Sequence, residues 1–349
     1  MTVEQIQGVD RSNMLGLIKA FPDNIAEAMR IGYETGAKIN ARGIHNIVLC
    51  GLGGSAIGGD LLKSYLADEL DVPFQVNRHY TLPGFVGPSS LVIISSYSGN
   101  TEETTTAHRE ALRRKAKILC ISSNGITEQV AKNKKTPFIK IPGGLPPRAA
   151  LAYSFFPLLI ALGKSGFIKD RKRDIMETIG LLREKAPSYA DLNPDVNPAL
   201  NLAGQLQGRL GVFYSSTERF DAVNTRWRGQ MAENGKTLTF GNVLPEMNHN
   251  ELVGWKVLTN LMRETQVVFL RDKEDHPRVQ KRMDVTIDVL RRYTDRILEV
   301  HSEGRSLLAR MFSLIHLGDW TSFYLAVLNG VDPTPVEVID HLKSELGKV

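Results

Sequence analysis

Two short segments of this sequence are built from residue types that hold an oxyanion without a metal or a clustered lysine. The first is Gly51-Leu-Gly-Gly-Ser-Ala-Ile-Gly-Gly-Asp60. Its glycines let backbone N–H groups approach an anion closely, and the helix that follows adds the partial positive charge of its N-terminus. The second is Ser95-Ser-Tyr-Ser-Gly-Asn-Thr-Glu-Glu-Thr-Thr105. Here Ser96, Ser98 and Thr101 offer three hydroxyl donors in one tight turn, and Gly99 permits an unusual φ. Uncharged donors of this kind, with backbone N–H groups, suit a phosphate dianion. Each loop also has a plainer reading. The first is then a bare strand–helix turn. The second is a capping box, with Asn100 answered by Glu103. Capping and anion binding use the same helix N-terminus, so the two readings are compatible.

Competing phosphate motifs fit less well. No Gly-Lys-Ser/Thr follows the first loop, so it is not a Walker loop. Gly51, Gly53 and Ala56 approximate a dinucleotide fingerprint, but Ser55 intrudes. The strand at Val72–Val76 leads into Asn77-Arg78 and not into the acidic residue that would hold a ribose.

Both loops need a sheet to present them. Asn46–Cys50, Val72–Val76, Leu91–Ser95, Lys117–Ile121 and Pro137–Ile141 read as strands, alternating with helical patterns through Leu70 and over Thr101–Lys115. Such alternation predicts parallel βαβ units with both loops at the carboxyl edge of the sheet, where ligands of open α/β folds sit. Residues 4–42 read as one or two helices, and residues 151–208 as mostly helical. The alternation then restarts with Gly211–Tyr214, a helix through Glu233, Thr237–Phe240, Thr265–Leu270 and Arg296–Val300. Gly211–Thr217 lacks the glycine cluster. The sequence therefore predicts two similarly built α/β domains, 1–150 and 151–349, with phosphate loops only in the first. Helices over Arg305–Leu328 and Pro335–Leu346 close the chain, separated by Asp332-Pro-Thr-Pro335.

Composition bounds the class. The 349 residues are 42% hydrophobic and 23% charged, as expected of a globular protein with a sizeable core. No run of about eighteen apolar residues suggests a membrane span, and the N-terminus lacks the pattern of a secretory signal. Cys50 and Cys120 each end an apolar run, which predicts buried free thiols and a reducing cytoplasm. The net charge of +5 is spread along the chain, which argues against a nucleic-acid surface and suits an anionic substrate.

Gly53-Gly-Ser55 followed by Ser96-x-Ser-Gly-x-Thr-x-Glu103 resembles the sugar isomerase (SIS) domain, a doubly wound, flavodoxin-like phosphosugar-binding fold. Beyond those loops the likeness continues through Arg148, Ala232-Glu-Asn-Gly-Lys236, Pro245-Glu-Met-Asn-His-Asn-Glu251 and Asp332-Pro-Thr-Pro-Val-Glu337 with Lys343. This ordered set resembles the bifunctional phosphoglucose/phosphomannose isomerase family. The resemblance implies two SIS domains with helical terminal segments, no metal, no cofactor and a homodimer. It also implies reversible conversion of glucose 6-phosphate and mannose 6-phosphate to fructose 6-phosphate. That reaction opens the ring, then moves a proton between C1 and C2 through a cis-enediol.

Residue roles follow from the same likeness. Gly54, Ser55, Ser96, Ser98 and Thr101 bind the phosphate end. Glu233 is the base, a carboxylate able to take a carbon-bound proton and return it. His249 assists ring opening and comes from the other subunit, and Lys343 acts near the sugar oxygens. Arg148 stabilises the enediolate charge and also contacts substrate. Glu251 is either an alternative base or the group that orients His249. Thr334 is the nearest match to a threonine that makes room for both C2 epimers. Arg78 receives no role. A nicotinamide dehydrogenase would leave the Ser/Thr loop unexplained. A sugar-phosphate sensor and another SIS isomerase remain as alternatives, and an amidotransferase would require a nucleophilic N-terminal cysteine that is not there.

Overall fold

The structure is a computed structural model that describes residues 1–348. Three helices open it: α1 (Val3–Val9), α2 (Met14–Lys19) and α3 (Phe21–Glu34). The sequence suggested one or two. The break after α1 comes from Asp10, whose carboxylate accepts from the N–H groups of Met14 and Leu15 at 2.7 and 2.9 Å.

Strands and helices then alternate: β1 (Asn46–Cys50), α4 (Gly53–Tyr65), β2 (Phe74–Asn77), β3 (Ser90–Ser95), α5 (Glu102–Arg113), β4 (Lys117–Ser122), α6 (Gly125–Lys134) and β5 (Phe138–Lys140). All pairings are parallel, in the order β2-β1-β3-β4-β5. This is the flavodoxin-like doubly wound order, and its direction of winding reverses between β1 and β3. Every residue of β3 is buried, as a central strand covered on both faces requires.

Helices α7 (Leu151–Lys164), α8 (Lys172–Tyr189) and α9 (Pro198–Leu206) follow, then β6 (Gly211–Ser216), α10 (Asp221–Glu233), β7 (Thr239–Leu244), α11 (Thr259–Glu264), β8 (Gln266–Arg271), α12 (Pro277–Leu290) and β9 (Ile297–His301). The second sheet is also fully parallel, in the order β7-β6-β8-β9. It repeats the first sheet's winding without a fifth strand. The chain closes with α13 (Leu307–Leu328) and α14 (Glu337–Leu346).

By internal contacts the chain forms two compact units. The N-sheet unit comprises Ala20–Leu181 with Gly304–Arg310, and the C-sheet unit comprises Met1–Lys19, Leu182–Glu303 and Met311–Val349. Helix α7 therefore falls with the first sheet, packed on α3 and α4 and buried from Leu151 to Leu162.

Helix α13 is long and apolar enough to cross a membrane by length and composition alone, although no such run was expected from the sequence. Within the fold, 94% of its apolar window is buried, which makes it a core helix. Helix α14 is the opposite case, with none of its described residues buried and Val338, Leu342 and Leu346 exposed.

Cys50 and Cys120 are free and buried. Burial pushes each thiol up to about 12, away from the reactive thiolate. The native protein at pH 8 is accordingly expected to be inert to a thiol-specific chromophore, with two thiols appearing in denaturant. Rapid labelling of either thiol in the native state would contradict the described packing.

Candidate active site

The switch point of the first sheet is where β1 and β3 hand over to α4 and α5. A helix N-terminus leaves backbone N–H groups that must find partners. The N-cap of α4 is Leu52 and that of α5 is Thr101, and neither makes a side-chain capping bond. The capping box suggested by Asn100 and Glu103 is not formed. Asn100 Oδ1 instead accepts from the Ile126 N–H at 3.0 Å, so it serves α6. Two such N-termini together contribute about one unit of positive charge, although Glu102 and Glu103 stand in the first turn of α5.

Local bonds hold the two loops in one arrangement. Ser55 Oγ accepts from the Tyr97 N–H at 3.2 Å and so ties the first loop to the second. Ser96 Oγ donates to Thr101 Oγ1 at 3.1 Å, and Ser98 Oγ accepts from the Asn100 N–H at 3.3 Å. Tyr97 anchors the turn from the other side: its carbonyl accepts from Ser123 Oγ at 2.7 Å, and its hydroxyl accepts from the Leu145 N–H at 3.0 Å. Gly99 has φ +72°, and a Cβ there would lie 1.7 Å from the Asn124 carbonyl oxygen, so only glycine fits.

Gly54 carries the link to the arginine. A Cβ on it would lie 2.4 Å from the Pro147 oxygen and 3.6 Å from Arg148 N, so the loop lies directly on the Pro147–Ala149 turn. Arg148 is itself buried in that turn. The N-sheet unit thus gathers Gly54, Ser55, Ser96, Ser98, Thr101 and Arg148. Arg78 is paired with Asp60 of α4.

At the equivalent switch point of the second sheet, β6 ends on Ser216 and two carboxylates, Asp272 and Asp275, follow β8. Asp275 accepts from Ser216 Oγ and from the Asp272 N–H, while Asp272 accepts from Ser302 Oγ. Both aspartates are buried, and burial raises the Asp275 pKa above its ordinary value. Acids in that position oppose a phosphate. The glycine- and hydroxyl-rich pattern of the first switch point is not repeated here.

Glu233 ends α10 in the C-sheet unit, half-buried. It lines a cavity of about 690 Å³ with Ala232, Lys236, Leu238, Asp332 and Pro335 among its neighbours. Lys236, which the sequence offered only as part of a motif, closes the floor. Its ammonium donates to the carbonyls of Glu233 and Pro335 at 2.5 and 2.6 Å and of Pro333 at 3.3 Å. The segment carrying Thr334 is thereby held against the end of α10.

The other predicted residues are placed differently. His249 is exposed in a short 3-10 turn (Glu246–His249), and Lys343 is exposed on α14. Neither lines the Glu233 cavity. The Glu251 carboxylate accepts from Tyr214 Oη and, at 2.8 Å, from Asn242 Nδ2. With both oxygens occupied it is a structural acceptor that joins the 251–256 turn to the second sheet.

The doubly wound sheets and the hydroxyl-rich switch point define a protein of the SIS-domain class. A family model described as "SIS domain" matches residues 42–138, and one described as "Bacterial phospho-glucose isomerase C-terminal SIS domain" matches residues 195–346. A bifunctional phosphoglucose/phosphomannose isomerase of Caldicellulosiruptor bescii is 42% identical over 332 residues, 94% of this chain and 97% of that protein. One from Aquifex aeolicus is 36% identical over 304 residues, 86% of this chain and 90% of that protein. The chain belongs to the bifunctional phosphoglucose/phosphomannose isomerase family. Among solved structures, a hypothetical protein from Thermus thermophilus shares the fold with a TM-score of 0.70 at 17% identity, covering 96% of this chain and 90% of that one.

The close fit at Gly54 is testable by stability. Gly54→Ala forces a methyl against the Pro147 carbonyl and should lower unfolding free energy by about 1–3 kcal/mol in urea titrations. Gly84→Ala, where nothing lies within 4 Å, serves as the control and should change it little. Equal stability of the two variants would refute the described contact.

Proposed function

We propose that this protein interconverts glucose 6-phosphate or mannose 6-phosphate with fructose 6-phosphate. The observation that carries this reading is the pair of side-chain-uncapped helix N-termini, α4 and α5, meeting at one switch point among uncharged hydroxyls. Family membership supports the identity of the sugar.

In this reading the N-sheet unit holds the phosphate. The Gly54 backbone N–H and the hydroxyls of Ser55, Ser96, Ser98 and Thr101 surround its oxygens. The non-reacting end of the sugar is thereby fixed, and the binding energy goes into orientation of the reacting end. His249 and Lys343 move protons at the hemiacetal oxygens as the ring opens. Glu233 then removes the C2 proton of the open-chain aldose. The electron pair forms the C1–C2 double bond of a cis-enediol as the carbonyl pair moves onto O1; a proton passes from O2 to O1, and the same carboxyl returns its proton to C1 as the C2 carbonyl forms. Negative charge developing on the enediolate oxygens is met by Arg148. Rotation about C2–C3 before or after the transfer lets either C2 epimer react, with Thr334 beside the space this needs.

His249 reaches the site from a second copy of the chain. Its exposure, next to the exposed apolar Val253, Val257, Leu258 and Leu261, supports a homodimer, since an apolar patch of this kind normally meets a partner. Buried free thiols support a reducing, cytoplasmic setting.

A coupled assay of the purified protein on both aldose phosphates in EDTA is expected to give turnover with each. No turnover of either would overturn the isomerase reading, and glucose 6-phosphate alone would remove the dual specificity. Glu233→Gln should lower kcat by about 10³-fold or more while ring opening persists, in keeping with the loss of a general base. Near-normal turnover would exclude Glu233 as the base.

A further inference from the structure

Helix α10 buries a polar stripe. Arg226, Gln230 and Asn234 recur at intervals of four residues, which places them in one line along the helix. Each is buried and bonded to α13. Arg226 NH2 donates to Asp319 Oδ2 at 2.8 Å, Gln230 Nε2 to Asp319 Oδ1 at 2.9 Å, and Asn234 Nδ2 to Ser322 Oγ at 2.9 Å. Between the first two rungs, Trp227 Nε1 donates to the Leu314 carbonyl at 2.9 Å. The line is about 12 Å long at 1.5 Å per residue, and its last rung is the neighbour of Glu233.

Stability alone gives no reason for an ion pair here. Apolar residues of similar volume at a buried pair are often neutral or stabilising, whereas polar partners admit only one register. Apolar helix faces can slide or rotate by small amounts, but Asp319 with both carboxylate oxygens occupied cannot follow such a shift without breaking a bond. Glu233 follows Arg226 by seven residues, which places it within about 20° of Arg226 around the axis, at the edge of the bonded stripe. From that edge it lines its cavity.

We propose that Asp319 is a positioning residue: by holding Arg226 and Gln230 it sets the rotation and register of α10 and so aims the Glu233 carboxylate. The proposal rests on the reading of Glu233 as the base. A displacement on the order of 1 Å at a reacting group costs roughly 100-fold in rate. The ladder is therefore expected to act on kcat with little effect on KM, since the phosphate is held by the other unit.

The test replaces the ladder by an apolar one, Arg226→Met/Gln230→Leu/Asp319→Leu. The variant should retain its melting temperature and KM within about twofold while kcat falls roughly 10- to 100-fold. Introduced into Glu233→Gln, the same three changes should cost nothing further, because residues acting as one unit are not additive. A folded apolar-ladder enzyme with wild-type kcat overturns the proposal, and so does full multiplication of the two losses. Should the triple variant not fold, Ser322→Ala removes only the last rung's partner. It is expected to lower kcat several-fold with the same non-additivity, and an unchanged kcat there also overturns the proposal. The two readings fail separately. Near-normal Glu233→Gln refutes the base, whereas a crippled Glu233→Gln beside a fully active ladder variant refutes the ladder.

Discussion

A helix that starts at the end of a buried parallel strand brings N–H groups that need a partner. At some helices of this chain, side chains supply one: Thr2 for α1, Asn197 for α9 and His276 for α12. At α4 and α5 none does, as at α3, α7, α10, α11 and α14, but only α4 and α5 start at the first sheet's switch point. The two helices converge because the sheet order β2-β1-β3-β4-β5 winds in opposite directions from β1 and β3. Much of the surrounding detail keeps these termini open yet ordered. Ser55 ties the loops together, Asn100 is diverted to α6, and Gly99 admits the Asn124 carbonyl where a side chain would collide.

The repeated architecture of the second sheet makes the comparison internal to the molecule. There β8 is followed by Asp272 and Asp275, which accept from Ser302 and Ser216 respectively, Asp275 also from the Asp272 N–H. One fold thus carries different side chains at its two switch points, glycines and hydroxyls at the first and buried carboxylates at the second. The C-sheet unit contributes instead the end of α10, buttressed by α13 on one face and by Lys236 at its tip. In the proposed function this divides the work: one unit fixes the phosphate and the other presents a carboxylate.

Much of this was legible in the sequence, for identifiable reasons. Strands such as Asn46–Cys50 and Leu91–Ser95 are short apolar runs ending in glycine or serine clusters, and local pattern decides them. The two loops proposed to hold phosphate stand out for the same reason, each being a contiguous segment of ten or eleven residues. What the pattern could not give were partners distant in sequence. Asn100 and Glu103 satisfy the capping-box spacing, yet a helix start 26 residues away takes the asparagine. Glu251 sits two residues from His249, but Tyr214 and Asn242, on adjacent strands, claim its oxygens. The stripe Arg226, Gln230, Asn234 has the look of a solvated helix face. The signal that it is buried lies elsewhere, in the lone Asp319 within the apolar run of α13.

The central claim is that uncharged donors at the two helix N-termini hold the phosphate, separately from the carboxylate that does the chemistry. Calorimetric titration with sorbitol 6-phosphate, which keeps the phosphate end and cannot isomerise, tests it most directly. Ser98→Ala/Thr101→Ala is expected to weaken Kd at least tenfold, about 1.4 kcal/mol, while Glu233→Gln leaves Kd within about threefold. Unchanged affinity in the Ser98/Thr101 variant, with a large loss in Glu233→Gln, would contradict it.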